Sequence, residues 1–405
     1  MKTDMQDETS HARKVLIIVG AFPGPDEAKD IFGGVMASCQ ALLSAGIGDI
    51  FTLRLIDSSQ RQNPPPGLLA RTLGSVSRVL RFSAALRQQP VPDSALIFMN
   101  EGLSFLEKSL LAVMAKRAGL KVSVAPRGGA LRHELDDYRL MRMTASWMFN
   151  RVDHVICQGD SWVRLFAAYE AGGQESVQER QAVSMTSIDS GSGVTAQPPK
   201  YISLFNWTAT DDMLAVGRER LASIDECKGG QLRILYVGSL MQRKGLIEML
   251  EGFSQALQRV PDMTLVMAGD GVADEELKCL CKELGVMDKV TFLGWIELEQ
   301  KLAELRQADC LCLASWSEGM PNAVIEAMAC ALPTIVTPVG GVPDAAPDGL
   351  VSVHVPVRDA AAIAAAFERL AADPALRRSL GARAHERASS QFTVQHAMQV
   401  LEQIL

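Results

Sequence analysis

Nowhere in the 405 residues is there a run approaching the ~18 consecutive apolar residues of a membrane-spanning helix. The opening stretch Met1 to Ala12 is polar and acidic and has no apolar core of the kind a secretory signal carries. These two absences predict a cytoplasmic chain, either free or resting on the inner face of a membrane. A basic surplus is missing too. The formal net charge is −7, which argues against a general nucleic-acid binder. No D-x-D carboxylate pair stands out. The eight cysteines are not followed by a His/Cys cluster at zinc-ligand spacing. Cys279 and Cys281 fall on an expected helix, and Cys310 and Cys312 on an expected buried strand. They read as structural thiols in a reducing compartment, not as a disulfide framework.

What is present is enough apolar sequence, 48%, for more than one core. A chain this long divides into two domains by default. Short β-branched runs alternate with helical stretches, the pattern of a doubly wound α/β sheet. Strands are expected at 14–20, 50–56, 95–99, 122–125, 154–157 and 201–204. A second set is expected near 233–237, 264–268, 289–292, 310–313, 334–336 and 352–355. The domains therefore read as 1–208 and 231–385, joined by a hinge at 209–230. Residues 171–199, rich in Ser, Gly and Gln, read as a flexible insertion. The tail from Ala360 onward reads as helical.

The most informative stretch runs from Leu311 to Cys330. Leu311 to Ala314 predicts a buried strand. Pro321 suits the first position of a helix, where its missing N–H costs nothing, and Asn322 to Cys330 predicts that helix. Glu318 then lies on the loop and Glu326 inside the helix, roughly 7 Å past Pro321 at ~1.5 Å per residue. Two acids so placed can hold separate parts of one extended ligand, and the helix start between them suits a phosphate.

This strand, loop and helix resembles the signature of family 4 of the retaining nucleotide-sugar glycosyltransferases, which have the GT-B fold. The resemblance extends to Y-V-G-S-L-M-Q-R-K-G from Tyr236, A-G-D-G from Ala268, F-L-G-W from Phe292 and P-T-I-V-T-P-V-G-G from Pro333, all in the family's order. It implies two Rossmann-like domains facing across a cleft, with residues 386–405 as a last helix crossing back to the first domain. It also implies a UDP- or GDP-sugar donor, a glycan or lipid-linked acceptor, and transfer without a metal ion or other cofactor. Arg243 and Lys244, just after the strand ending at Gly238, would neutralise the leaving diphosphate. Glu326 would hold the ribose hydroxyls, and Trp295 and Ile296 would meet the base. Trp295 is equally readable as a packed core aromatic. Glu318, Gly319, Met320 and Asn322 would surround the sugar and phosphates. Ser239 stands where many members carry an arginine. On the first domain, Gly33 and Gly34 would let backbone approach the diphosphate, and Arg127, in the place of a frequent histidine, would join Glu318 as a catalytic residue, binding the sugar or an anionic acceptor. His133 reads as a helix-surface residue and Asp270 as a turn residue. Asn206 resembles the asparagine that closes the first domain.

Two other functions fit the same residues: a sugar-nucleotide epimerase and a non-catalytic sugar-nucleotide-binding subunit. Residues 68–89 form a basic amphipathic stretch, with Arg71, Arg78 and Arg81 on one stripe. Such a helix either packs its apolar face inward or lies on an anionic membrane. Residues 61–165 carry 15 Lys/Arg against 8 Asp/Glu, which suits the second case.

Overall fold

The computed structural model describes residues 13–22, 34–59, 67–170, 198–223 and 231–405. The first domain holds a six-stranded parallel sheet. Its strands are β1 (Val15–Gly20), β2 (Thr52–Asp57), β3 (Ser94–Met99), β4 (Lys121–Pro126), β5 (His154–Cys157) and β6 (Tyr201–Ser203), in the order β2-β1-β3-β4-β5-β6. The second sheet, also six-stranded and parallel, comprises β7 (Gln231–Val237), β8 (Asp262–Ala268), β9 (Val290–Gly294), β10 (Cys310–Leu313), β11 (Thr334–Val336) and β12 (Ser352–His354), in the order β12-β11-β10-β7-β8-β9.

Strands buried on both faces must be apolar on both, which is why these runs show no polar alternation. In β1 the two-residue period sends Ile17 and Val19 to one core and Leu16 and Ile18 to the other. The second face of the first sheet is covered from far away in the chain. Ala397, Met398, Leu401 and Ile404 of the helix Val394–Ile404 pack with Leu16, Ile18 and Phe98. Thr393 starts that helix by accepting the His396 N–H at 3.3 Å.

The tail is three helices, Ala360–Ala372, Pro374–Gln391 and Val394–Ile404, and the last buries its apolar face in the first domain. Phe392 is still part of the second core, so the crossing follows it, not 386. Residues 386–391 stay with the second domain, where Arg387 Nε donates to the Ala345 carbonyl at 2.8 Å. Most of the expected hinge is likewise a helix, Asp211–Ala222, whose Met213, Leu214 and Val216 enter the second core. The real passage is short: Leu204 and Trp207 belong to the first core, Phe205 and Ala209 to the second. The proposed insertion lies outside the described residues except for its last two positions.

The helix Leu68–Arg87 departs from the inward-facing reading. Phe82 and Ala85 face the core, but Leu73, Val76 and Leu80 are 63%, 57% and 65% exposed. Its rotation is set by Arg78, which grips both Glu107 oxygens, Nε to Oε1 at 2.6 Å and Nη2 to Oε2 at 2.7 Å. A two-pronged charged bond of this kind is stronger than neutral ones and fixes orientation. Among the described residues, no helix is long and apolar enough to cross a membrane.

Replacing Leu401 with Ala should remove ~2–5 kcal/mol from the unfolding free energy, because the truncated side chain leaves a void against the first sheet. Urea unfolding followed by fluorescence reads this; a loss below ~0.5 kcal/mol, typical of a surface change, would show that the helix is only loosely attached.

Candidate active site in the interdomain cleft

In the second sheet the chain leaves β7 and its neighbour β10 toward opposite sides, so a crevice opens beyond their carboxyl ends. Ligands of open α/β sheets bind at such a switch point. The loop after β7 runs through Gly238 and Ser239 into a tight turn at Gln242–Lys244. Gly245 then takes φ 65°, and a Cβ there would stand 2.0 Å from the Ala314 carbonyl oxygen. Only glycine permits both the left-handed backbone and that contact, which lays the Arg243–Lys244 turn against the loop after β10. The Trp316 N–H donates to the Arg243 carbonyl at 2.8 Å and joins the loops again.

This apposition creates a buried ion pair. Lys244 Nζ lies 2.5 Å from Glu318 Oε1, and Ser315 Oγ donates to the same oxygen at 2.8 Å. The side chains are 12% and 9% exposed. Burial, and then the Glu318 carboxylate, push the Tyr236 phenol well above its ordinary range, and its hydroxyl donates to the Ser239 carbonyl at 2.8 Å. The Arg243 side chain makes no ion pair among the described residues; its one side-chain hydrogen bond there, from Nη1 to the Ser317 carbonyl, is long at 3.4 Å. Glu326 is buried in the helix Asn322–Ala329 and accepts from Lys301 Nζ at 2.9 Å through Oε1.

The first domain reaches this loop through Asn206. Its Oδ1 accepts from Arg127 Nη1 at 2.7 Å and from Gln158 Nε2 at 2.9 Å. Its Nδ2 donates to the Met320 carbonyl at 3.0 Å and to Asn322 Oδ1 at 2.7 Å. Ser161 adds a second bridge, with N and Oγ both donating to Asp344 Oδ2 at 2.7 and 2.6 Å. Arg127 leaves β4 and lies over the Trp207 and Phe98 rings, at 4.8 and 5.8 Å from their centroids. Its Nε and Nη2 are sealed from solvent without a hydrogen-bond partner. Burial lowers its pKa to about 10, which leaves the guanidinium charged at neutral pH.

The domains enclose a cleft of about 2310 Å³. Gly34, Gly238, Arg243, Lys244, Glu318, Gly319, Met320, Asn322 and Glu326 all line it, together with Arg127, Trp295 and Ile296. Gly33 lies outside the described residues. Trp295 is 59% exposed at the rim, so it is not a core aromatic. Asp270 is a turn residue, its Oδ1 accepting the Gly271 N–H at 2.7 Å, and His133 is exposed on a short helix. Gln158, Lys301 and Lys108 also line the cleft and were not singled out from the sequence. Lys301 sits among ordinary surface charges of its helix, and only the fold carries it to Glu326. Among the described residues, no group of three or more His, Cys, Asp or Glu is placed to hold a metal ion.

Residues 218–387 match the family model of Glycosyl transferases group 1. Among characterised proteins, the chain is similar to the lipopolysaccharide core biosynthesis glycosyltransferase LpsE of Rhizobium meliloti (strain 1021), 30% identical over 188 residues. That match covers 46% of this chain and 52% of the relative, so the chain spans about half of the relative's length. The fold is similar to that of sucrose-phosphate synthase from Thermosynechococcus elongatus, with a TM-score of 0.68 at 20% identity, over 96% of this chain and 98% of the other. It is similar also to Anabaena Alr3699/HepE in complex with UDP-glucose, with a TM-score of 0.61 at 16% identity and the same coverage. At such identities the likeness establishes the fold, GT-B, and nothing about substrate.

Removing one partner of a buried ion pair strands the other charge, at a cost of ~3–5 kcal/mol. Lys244→Met should therefore lower stability by about that much, and Lys244→Met with Glu318→Gln by clearly less than the two single changes summed. Denaturant unfolding of the four proteins completes the cycle; strictly additive losses would show that the pair does not couple.

Proposed function

We propose that this chain transfers a sugar from a UDP- or GDP-sugar to a glycan or lipid-linked acceptor, with retention of anomeric configuration and without a bound metal ion. The observation that carries the reading is the convergence, at one switch point, of the Arg243–Lys244 turn, Glu318, the start of the helix Asn322–Ala329 and Glu326. The match of residues 218–387 to Glycosyl transferases group 1 supports it. So does the similarity to LpsE and to the fold of HepE, which was solved with UDP-glucose.

In this reading the ribose hydroxyls donate to the Glu326 carboxylate, whose Oε2 is not engaged by Lys301. The diphosphate lies between Arg243 and the free N–H groups at the start of the helix Asn322–Ala329, where the dipole favours negative charge. Lys244 already neutralises Glu318, so Arg243 is the cation left for the leaving group. Glu318, fixed by Lys244 and Ser315, positions the sugar hydroxyls and stabilises positive charge at the anomeric carbon. As the bond from that carbon to the phosphate oxygen breaks, an acceptor hydroxyl from the first-domain side attacks the same face. Its proton passes to the departing phosphate oxygen, and configuration is retained. Arg243 and the helix end supply the electrostatic work that a metal ion does in other sites.

A lipid-linked acceptor would be presented at a membrane, and the outer surface of the first domain offers chemistry suited to one. Three neighbouring helices, Leu68–Arg87, Leu103–Arg117 and Arg139–Phe149, contribute to one core on one side of the first sheet, so their exposed residues share the outer surface. Leu73, Leu80, Leu140 and Met143 are exposed there, with Arg81 and Arg139, while the exposed Val76 and Arg71 line the cleft. Apolar side chains flanked by arginines match the chemistry of anionic lipid headgroups.

Calorimetry with UDP and GDP should show binding of one of them. Glu326→Ala should weaken it by about 10- to 100-fold, the worth of ~1.5–3 kcal/mol for hydrogen bonds to a charged group. Glu318→Ala should abolish transfer while donor binding is largely kept, and activity should survive EDTA. Absence of any nucleoside diphosphate binding would overturn the reading; conversion of the donor to an isomer without acceptor would redirect it to epimerisation. The wild type should sediment with phosphatidylglycerol-containing vesicles and not with pure phosphatidylcholine, and Leu80→Glu should release it. Equal sedimentation of the variant would remove the membrane from the account.

A further inference from the structure

Behind the Arg243–Lys244 turn lies a side-chain cluster that the transfer chemistry does not use. Trp316 stands two residues before Glu318 and pins that turn at both of its ends. Its backbone N–H donates to the Arg243 carbonyl at 2.8 Å, and its indole Nε1 donates to Glu248 Oε1 at 3.1 Å. Glu248 lies in the first turn of the helix Leu246–Leu257, which starts straight after Gly245. Arg358, from the segment between β12 and the helix Ala360–Ala372, covers the indole, its guanidinium carbon 4.1 Å from the ring centroid. Neither Trp316 nor Arg358 lines the cleft.

Two features set this cluster apart from an ordinary surface contact. Arg358 has φ 62°, a left-handed backbone that a non-glycine residue rarely adopts. Strain of this kind persists only where the surroundings over-determine it, and it concentrates at functional sites. Glu248 Oε2 is sealed from solvent without a hydrogen-bond partner, so among the described residues the carboxylate's one hydrogen bond is from the indole. A cation over the electron-rich face and a carboxylate at the N–H edge both suit the charge distribution of the ring. The indole is thus fixed by its own backbone, by Glu248 and by Arg358. What it fixes in return is the turn, because residues 243 and 248 bracket Lys244 and Gly245 and both bond to Trp316. The Arg243 guanidinium, with its single long hydrogen bond among the described residues, owes its place to that backbone.

We propose that Trp316, braced by Glu248 and Arg358, is a positioning residue that holds Arg243 toward the donor diphosphate. The proposal rests on the donor-site reading above, in which Arg243 meets the leaving phosphates. Trp316 touches no ligand; it acts through the Arg243 carbonyl. The nucleoside end of the donor, at Glu326 and the Trp295 loop, depends on other elements. Disturbing the brace therefore loosens the phosphate end alone.

Calorimetry on the full chain with UDP and GDP identifies the diphosphate that binds. Ligand-observed NMR then compares it with the matching nucleoside, uridine or guanosine. Arg358→Gly and Trp316→Phe should each weaken the diphosphate by about fivefold or more, the scale of coupling between residues in contact, and leave nucleoside affinity unchanged. Glycine suits the left-handed backbone, so Arg358→Gly removes the stack without straining the fold. Trp316→Phe keeps a ring beneath Arg358 but cannot donate to Glu248. In an Arg243→Gln background, Arg358→Gly should weaken the diphosphate no further, since the residue through which it acts is gone. Equal losses for nucleoside and diphosphate, unchanged affinity, or losses that add to that of Arg243→Gln would overturn the brace with the donor site intact. Failure of both UDP and GDP to bind the wild type would instead overturn the parent reading.

Discussion

An asparagine side chain can donate two hydrogen bonds and accept two. Asn206 makes all four, two toward Arg127 and Gln158 of the first domain and two toward Met320 and Asn322 of the second. The segment that carries it is the same one that passes between the cores, with Phe205 buried on one side and Trp207 on the other. One amide thereby ties Arg127 to the loop that carries Glu318 and helps set the width of the cleft. The Ser161–Asp344 bridge supports the same closure from another edge.

Within the second domain the equivalent constraint is the Gly245 contact. Two loops from different strands are pressed together because one residue has no side chain, and the pressure places Lys244 against Glu318. The result is an acid that is buried, paired and hydrogen-bonded, so its position is decided before any ligand arrives. Preorganisation of this kind is what electrostatic stabilisation of a charged transition state needs, because the groups do not reorganise during reaction. The Arg243 guanidinium, one residue earlier, has a single long hydrogen bond among the described residues and so is available to a ligand.

The architecture was largely legible in the sequence because parallel sheets are buried on both faces. The run V-L-I-I-V-G has only one place to go, and β1 occupies Val15–Gly20 as expected. The strand, loop and helix around Glu318 and Glu326 were legible for a different reason: proline and glycine fix local geometry, so spacing alone implies placement. What could not be read depends on partners distant in sequence. Arg78 reaches Glu107 from 29 residues away, a pairing that no local spacing encodes. The same contact turned Leu73, Val76 and Leu80 outward, against the inward reading of that helix. Lys301 reaches Glu326 across a helix packing that no linear spacing encodes.

The central claim is that the crevice beyond β7 and β10 receives a nucleoside diphosphate. Hydrogen exchange with and without saturating UDP or GDP tests it most directly, because backbone amides report where the ligand sits without any mutation. The account predicts slowed exchange in the turn at 242–245, in the loop and helix start at 317–324, and around 295–297, with little change elsewhere in the second domain. Protection confined to other segments, or none at ligand concentrations that saturate binding, would contradict it.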